Sequence, residues 1–442
     1  MAELIKLRWR PTASLELPRR DRQGCDYEAY VPDALSSRSL SLDGSTAADV
    51  TDAEVAIARL NQETSALADS EAIARLLLRA EAVASSRIEG LEIGGRRLLK
   101  AQLARDFEDG RADVTATEVL NNIEAMNWAV ETLSARPQIT VDDVLGVHQR
   151  LLAGTSLERH GGRLREVQNW IGGSSFSPCS AAFVPPPHER VPGLMEDLCE
   201  FCNQDTLPAV VQAAVAHAQF ETIHPFIDGN GRTGRALIHV ILRRRGLAPK
   251  VVPPISLVLA TWSDDYVNGL MRTRYEGRPD SPEAVAAINT WISLFAGACR
   301  RAVADAEAYE SRVHELQDDW RRRLGRVRRN SATELLLDAL PGAPMVTVQS
   351  AAALLGRSQQ AVNEAIPRLI QAGVLTQTTV GGRNRAFEAT ELIDSFTALE
   401  RQLASPDADT SHRTARTHPH GGAGQHDHGA RACAAHANMR CT

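Results

Sequence analysis

Twelve consecutive residues, from His224 to Arg235, combine side chains that suit reactions of phosphate groups. They read His-Pro-Phe-Ile-Asp-Gly-Asn-Gly-Arg-Thr-Gly-Arg. The imidazole of His224 titrates near neutral pH and can serve as a general base. Asp228 carries the one carboxylate of the segment, a hard oxygen ligand that suits Mg²⁺ beside phosphates. A base, a metal ligand and two guanidiniums this close together predict nucleotide chemistry.

The glycines of this segment predict an anion-binding turn. Gly229 and Gly231 flank Asn230, so successive backbone N–H groups can curl inward around an anion. The pattern of residues 232–245, closed by Gly246, predicts a helix. The N-terminus of that helix would add free N–H groups and a half-dipole to the same anion site.

Two further features place charged groups around the turn. Pro225 disfavours the α region for His224, so the helix that begins near Pro208 is predicted to end there, with the imidazole on the turn. Arg232 and Arg235 lie one helical turn apart and share a face. A glycine-rich turn between two core helices would explain the glycines, but not the histidine, aspartate and two arginines together.

The segment resembles the signature of the Fic family, His-Pro-Phe-x-Asp/Glu-Gly-Asn-Gly-Arg-x-x-Arg, at every fixed position. The resemblance implies a mainly α-helical Fic-type core with a β-hairpin flap. It also implies transfer of AMP from Mg²⁺-bound ATP to a Ser, Thr or Tyr hydroxyl on a protein. In this interpretation His224 is the base, Phe226 anchors the loop in the core and Asp228 holds Mg²⁺ against the phosphates.

The same resemblance assigns the remaining motif residues to the nucleotide. Gly229, Asn230 and Gly231 would form the anion hole. Arg232 and Arg235 would hold the phosphates of ATP.

A second motif lies at the end of a helix predicted near residues 71–86. Ser85-Ser-Arg-Ile-Glu89-Gly90 resembles the inhibitory motif Ser/Thr-x-x-x-Glu-Gly/Asn of the family's N-terminal class. This implies that Glu89 pairs with Arg235 and occupies space that the γ-phosphate needs. Ser85 lies on the same helix face and would orient the interaction. In isolation, a solvated glutamate at a helix end would be the simpler interpretation.

Residues 168–187 predict a short hairpin, because apolar clusters there are separated by Gly, Ser and Pro. The segment resembles the family's flap, which docks a target protein by strand addition and leaves sequence preference weak. Trp170 could instead be a buried residue of a structural loop. Self-modification is a further expectation, and the oligomeric state is left open, with a homodimer among the alternatives.

Other candidate residues carry weaker signals. Tyr266 and Asn268 occupy the position where Fic proteins line the adenine side, and the resemblance implies that role for them. His217 is predicted to be a structural residue of its helix. Cys199 and Cys202 lack a second pair nearby and are predicted to be core cysteines.

Composition limits the wider function. The 442-residue chain has a net charge of −6 and is 43% hydrophobic, which predicts two to four domains and excludes general nucleic-acid binding by the whole surface. No apolar leader or membrane-spanning run is present in the sequence. The seven irregularly spaced cysteines predict no disulfide framework, and the cytoplasm is the expected compartment.

The C-terminal part resembles a winged helix-turn-helix. Three predicted helices, two strand-like segments and an intervening Gly381-Gly382 turn follow a basic stretch, 321–329, that is expected to be a solvated linker. A helix over 358–372 would be the recognition helix, with a kink expected at Pro367. DNA binding and protein docking are both open, since a fold alone does not decide between them.

We therefore predict four regions. These are an N-terminal regulatory region that is loop-rich at its start (1–109), the Fic core (110–325), the winged-helix-like domain (330–400) and a disordered histidine-rich tail (401–442).

Three alternative functions remain open. A phosphotransferase of the related Doc type would carry Lys where Gly231 stands. Removal of AMP could use the same site, with Glu89 positioning water. A transcription regulator that only senses nucleotide would not need the base at His224.

Overall fold

The computed structural model describes residues 1–11, 18–64, 70–105, 113–380 and 384–403, and it is mainly α-helical, as predicted. The predicted tail lies outside the described residues from residue 404 onward. None of the described helices is long and apolar enough to cross a membrane.

The chain begins with a hairpin of two antiparallel strands, β1 (Glu3–Trp9) and β2 (Cys25–Val31). The sequence predicted an extended, loop-rich region. The extended conformation is present, but the pairing of the two strands was not predicted. The backbone N–H of Tyr30 donates to the carbonyl of Val184 at 2.9 Å. This contact fixes β2 against the end of the predicted flap.

A disulfide joins Cys25 to Cys179, with Cα atoms 5.8 Å apart and a sequence separation of 154 residues. The expectation of no disulfide was therefore wrong for this pair. Folding brings the two cysteines together from distant segments, which spacing along the chain does not reveal. Cys199 and Cys202 are free thiols buried in the core, as expected.

Replacing both Cys25 and Cys179 by serine is expected to lower the free energy of unfolding by about 2–4 kcal/mol, because the bond closes a long loop in the unfolded chain. Urea unfolding of the oxidised protein and of the double variant measures the difference. A dithiol reductant should destabilise the wild type by a similar amount and leave the variant unchanged. Equal midpoints for oxidised wild type and variant would contradict the prediction.

Eleven helices precede the C-terminal part in the described chain. They are α1 (Gly44–Thr64), α2 (Ser70–Ile88), α3 (Gly95–Arg105), α4 (Val114–Trp128), α5 (Val141–Leu152), α6 (Val191–Cys202), α7 (Ala209–Ile223), α8 (Asn230–Arg244), α9 (Ile255–Thr261), α10 (Ser263–Arg272) and α11 (Pro282–Leu324).

The helix α7 is the centre of this arrangement, because every one of its residues is buried. Its neighbours enclose it, since α7 packs against α1, α6, α8 and α11. The largest core cluster runs from Leu35 to Ala306. The predicted regulatory region and Fic core therefore share one continuous hydrophobic core.

The helix α11 continues for 43 residues without a break. Its first half packs in the large core, whereas Tyr309 and Trp320 belong to a second core formed with the C-terminal elements. The start of the predicted basic linker is the last turn of this helix. Arg322 and Arg323 pair there with Asp319, one turn earlier.

The C-terminal part has the predicted three helices and two strands, with small shifts in their bounds. In chain order they are α12 (Ala332–Ala339), β3 (Met345–Val346), α13 (Val348–Leu355), α14 (Gln359–Gln371), β4 (Thr376–Val380), β5 (Asn384–Glu388) and α15 (Thr390–Leu403). The short strand β3 was not predicted, and the sheet has the order β3-β5-β4. Pro367 does not end α14. Gly381 and Gly382 lie outside the described residues.

Candidate active site

The loop between α7 and α8 carries the first set of candidate residues. His224 caps α7 in the left-handed region (φ 48°, ψ 61°), as the following proline disfavours the α conformation. Gly229 (φ 77°) turns the chain into α8. A larger residue would also clash there, because a Cβ at this position would fall 2.7 Å from the Leu151 side chain. The amide of Asn230 donates to and accepts from the backbone of Phe226, at 2.9 and 2.8 Å. These contacts fix the loop shape.

Phe226 is fully buried, as predicted for an anchor, and its ring stacks on His148 with centroids 3.7 Å apart. The backbone N–H of Gly162 donates to Nδ1 of His148, so the hydrogen must be on Nε2, which donates to the carbonyl of Asp228 at 3.0 Å. Burial lowers the pKa of His148 to about 4, which keeps it neutral. Nothing in the sequence marks His148, because a lone histidine on the apolar face of a helix carries no distinct signal.

Arg165 was also missed, and it joins the flap to the loop. It is 3% exposed, and its Nε donates to the carbonyl of His224 at 2.9 Å. The other nitrogens donate to the carbonyls of Val167, Pro186 and Ile223. Burial lowers its pKa to about 10, so the guanidinium stays charged at neutral pH.

Replacing Arg165 by methionine is expected to lower the free energy of unfolding by about 3 kcal/mol, since hydrogen bonds from a buried charged group are lost and their acceptors stay buried. Loop order around His224 should fall with it. Hydrogen exchange of the 223–226 amides and urea unfolding measure both effects. The matched control is Arg163→Met, since Arg163 is exposed two residues earlier. Equal destabilisation by the two variants would contradict this role.

The second predicted motif meets the first at Arg235, which is 1% exposed. Nη2 of Arg235 donates to Oε1 of Glu89 at 2.6 Å and to the carbonyl of Ser85 at 2.8 Å. Nε donates to the hydroxyl of Ser85 at 2.9 Å. The predicted pairing of Glu89 with Arg235 is thus present, with the Glu89 side chain 30% exposed.

Glu89 also lies directly against the glycine turn. A Cβ added to Gly231 would fall 1.9 Å from Oε1 of Glu89 and 2.7 Å from Nη1 of Arg235. The carboxylate therefore lies at the N-terminus of α8, where an anion is favoured. Burial raises the pKa of Glu89, but the charge of Arg235, together with that of Arg232, outweighs this and leaves the pKa below its ordinary value. Glu89 is therefore an anion at neutral pH.

A buried polar cluster holds α2, and with it Glu89, against the neighbouring helices. Oε1 of Glu81 lies 2.7 Å from Nε2 of His239 on α8, and the N–H of Ser256 on α9 donates to Oε2 of Glu81 at 2.7 Å. Glu81 and His239 are fully buried. The contacts of Glu81 therefore fix the position of α2 about two helical turns before Glu89.

The two residues expected on the adenine side lie in different environments on α10. Tyr266 is 4% exposed, and its hydroxyl lies 2.8 Å from Nε2 of His217 and 3.4 Å from Nη1 of Arg235. The hydroxyl of Tyr266 therefore contacts the buried guanidinium of Arg235. His217 is buried, as predicted. Asn268 is exposed. Their contact with a nucleotide stays a prediction.

Asp228 and Arg232 form a partly exposed pair, with Oδ2 and Nη2 at 2.8 Å. Asp228 is the one carboxylate of the loop, and Mg²⁺ in nucleotide sites commonly uses one or two carboxylates plus substrate phosphates. The donor set therefore fits a metal that arrives with ATP. Among the described residues there is no cluster of three His, Cys, Asp or Glu side chains for a metal held by protein alone.

The predicted hairpin at 168–187 is reduced to a single antiparallel bridge between Ile171 and Phe183. Gly172 and Gly173 both have φ 76°, and the run of prolines 185–187 supplies no N–H donors, so a longer ladder cannot form. Trp170 is half-buried and donates to the carbonyl of Ser174 at 2.7 Å. Its ring thus has a structural role in the turn.

The fold and the site define a helical protein with a glycine-rich anion turn at the N-terminus of a buried helix. Residues 138–242 match the Fic/DOC family, and residues 47–131 match the N-terminal region of the Fic/DOC family. Over these two segments, which contain the two sequence motifs, the chain is similar to the Fic/DOC family. The N-terminal match continues past the boundary predicted at residue 109.

Individual relatives were also found. A protein adenylyltransferase Fic from Drosophila willistoni is 33% identical over 161 residues, which are 36% of this chain and 30% of the relative. The protein of the same name from Drosophila yakuba is 34% identical over 161 residues, with the same coverage. The chain thus spans about 30% of the length of these curated relatives.

Solved structures of similar shape include a Fic family protein from Desulfovibrio desulfuricans G20. Its TM-score is 0.49 at 21% identity, covering 79% of this chain and 97% of that chain. Fic-1 from C. elegans has a TM-score of 0.45 at 22% identity, covering 60% of this chain and 74% of that chain.

Proposed function

We propose that this protein is an adenylyltransferase that moves AMP from ATP to a Ser, Thr or Tyr hydroxyl of a protein, and that Glu89 restrains it. The observation that carries the proposal is the loop from His224 to Arg235, which brings an imidazole, a carboxylate, an anion turn and two guanidiniums together. The match of residues 138–242 to the Fic/DOC family and the names of the relatives support the same reaction.

His224 is the general base of the proposed reaction. Burial, with a smaller contribution from the charge of Arg165, lowers its pKa to about 3, so the imidazole is neutral and can accept a proton. The acceptor hydroxyl oxygen bonds to the α-phosphorus as its proton passes to Nε2. The bond from the α-phosphorus to the bridging oxygen breaks, and pyrophosphate leaves with the electron pair.

The phosphates are held by groups already aimed at the N-terminus of α8. The backbone N–H groups of Gly229, Asn230 and Gly231, with Arg232 and Arg235, would stabilise the negative charge that develops on the phosphoryl oxygens. Asp228 would hold Mg²⁺, which when bound supplies positive charge beside the phosphates.

The restraint follows from charge and space together. The Glu89 carboxylate pairs with Arg235 and excludes any larger group from the surface of Gly231. The γ-phosphate, an anion of the same sign, would compete for both positions. ATP then binds without the productive orientation of its α-phosphate. We propose that the protein is self-inhibited in this way.

The protein target would lie along residues 168–187, in the cytoplasm. Val167 and Phe176 border this segment and are 58% and 43% exposed, so apolar surface is available for a docked chain. Addition of a strand beside the bridge between Ile171 and Phe183 would orient the acceptor hydroxyl. Another copy of this chain could serve as target, which would produce self-modification.

Labelled ATP tests the proposal and separates it from its rivals. With the Glu89→Gly protein, the label should enter protein from the α-position and not from the γ-position. Transfer from the γ-position would instead show a phosphotransferase of the Doc type. Loss of label from pre-modified protein, faster with wild type than with the variant, would show AMP removal in which Glu89 positions water.

DNA is a second proposed partner, favoured by the exposed face of α14. That face carries the amides Gln359, Gln360, Asn363 and Gln371, which suit adenine edges. Arg357 and Arg368 flank it and contact the carbonyls of the arginine-rich 326–330 loop. If this winged-helix-like part binds DNA, the double variant R357A/R368A should lose most of the affinity for promoter fragments. A wild-type protein with no measurable affinity for these fragments would favour protein docking.

A further inference from the structure

Glu221 lies on the last turn of α7, three residues before His224, and has no role in the reaction as described so far. It is 8% exposed, and its Oε2 lies 3.9 Å from Nδ1 of His224. Among the described residues, neither Oε1 of Glu221 nor Nδ1 of His224 has a hydrogen-bond partner. A buried carboxylate oxygen without a partner is costly, so its place beside the base points to a function.

The neighbouring helix leaves room for this carboxyl. A Cβ at Gly234 of α8 would fall 3.0 Å from Oε1 of Glu221 and 2.8 Å from the ring of Phe220. Only a glycine lets α7 and α8 approach this closely with the glutamate side chain between them. The carboxyl is therefore held in place without being bonded by α8.

The chemistry of the base gives Glu221 its function. For Nε2 of His224 to take a proton, the hydrogen of the neutral ring must lie on Nδ1, and that N–H needs an acceptor. Arg165 fixes the carbonyl of His224 but does not touch the ring. Among the described residues, Glu221 supplies the one carboxylate in ion-pair range of this histidine.

We propose that Glu221 is a positioning residue for His224: its carboxylate accepts the Nδ1–H, selects the tautomer and stabilises the imidazolium formed when Nε2 takes the proton. The 3.9 Å between Oε2 of Glu221 and Nδ1 of His224 would have to shorten to hydrogen-bond distance as the base acts. The catalytic part of this proposal rests on the proposed adenylyltransferase function, whereas the tautomer part does not.

The surroundings of Glu221 make its charge sensitive to pH. Burial raises the pKa of Glu221 to about 7. The charges of Arg235 on α8 and of Arg274 after α10 lower the pKa, whereas the charge of Glu89 on α2 raises it. The neutral groups that share this pocket are Tyr266 of α10 and His217 of α7, besides His224 itself. A carboxyl with a raised pKa loses its charge as pH falls through about 7. The support for His224 should then be lost on the acid side, well above the pKa of His224.

The test measures kcat and the KM for ATP of Glu89→Gly and of Glu89→Gly/Glu221→Gln between about pH 5.5 and pH 9. The matched control is Glu166→Gln, because Glu166 is exposed. We expect Glu221→Gln to lower kcat by about 10–100-fold with the KM for ATP nearly unchanged, and to abolish the acid limb near pH 7. Glu221→Asp should restore part of kcat. An unchanged kcat and pH profile would overturn the proposal.

A measurement without turnover separates this proposal from the proposed function. Nitrogen-15 NMR of the imidazole of His224 reports its tautomer. We expect the Nδ1–H form with Glu221 and a mixture of tautomers in a Glu221→Leu protein, because leucine offers no acceptor. If no AMP is transferred but the tautomer changes, the positioning role of Glu221 is supported and the proposed adenylyltransferase function is contradicted. An identical His224 spectrum in both proteins overturns the positioning itself.

Discussion

In the Glu89→Gly protein, alanine at position 224 is expected to lower the single-turnover rate of AMP transfer by about 10²–10⁴-fold, the usual contribution of a general base. The structure offers no substitute for the lost imidazole among the described residues near it. His148 uses both ring nitrogens, one toward Gly162 and one toward the carbonyl of Asp228. His217 is engaged with the hydroxyl of Tyr266.

Binding of ATP should survive this change, because the groups that face the phosphates remain. Calorimetry with the His224→Ala variant is therefore expected to give a Kd for ATP within about twofold of the parent, since a base acts in the transition state and contributes little to ground-state binding. The second-site control is His160→Ala, because His160 lies outside the loop. A variant that keeps more than about a tenth of the parent rate would rule out the role of base.

The second large effect concerns the restraint. Replacing Glu89 by glycine is expected to raise the initial rate of transfer by about 5–150-fold, the range that a coupling of about 1–3 kcal/mol produces. The reason is local, since the change frees Nη2 of Arg235 and the surface of Gly231 together. Steady-state rates at saturating ATP measure the increase.

Glu92→Gly is the matched control for this experiment. Glu92 is an exposed carboxylate three residues further along the chain, and its loss should leave the rate unchanged. Glu89→Gln keeps the shape of the side chain but removes its charge, so it separates the steric effect of Glu89 from its electrostatic effect. A Glu89→Gly protein that binds ATP but is no faster than wild type would contradict the restraint.

The residues of the candidate site differ in how far the sequence could reveal them. The loop from His224 to Arg235 was predictable because its functional groups are neighbours in the chain, and Pro225 and the glycines fix their conformation. Glu89 was predictable through a short motif on one helix. Its contact with Arg235 joins residues 146 apart, and only the family resemblance supplied that pairing.

The groups that support the site were missed for a common physical reason. Arg165, His148 and Glu221 act through contacts created by tertiary packing, and each looks ordinary in its own segment. The disulfide from Cys25 to Cys179 depends likewise on two segments that meet only in the folded chain. For the fold, helix positions followed from apolar periodicity, whereas the N-terminal strand pairing and the unbroken α11 depend on long-range packing.

The most direct test of the central claim follows transfer of label from the α-phosphorus of ATP in the presence of Mg²⁺. Wild type, Glu89→Gly and Glu89→Gly/His224→Ala would each be incubated alone and with a cell lysate. We expect weak labelling of protein by wild type, strong labelling once Glu89 is lost, and none when His224 is also absent. If Glu89→Gly binds ATP but labels nothing, the proposed transfer and its restraint are contradicted. If labelling persists without His224, the proposed base is contradicted.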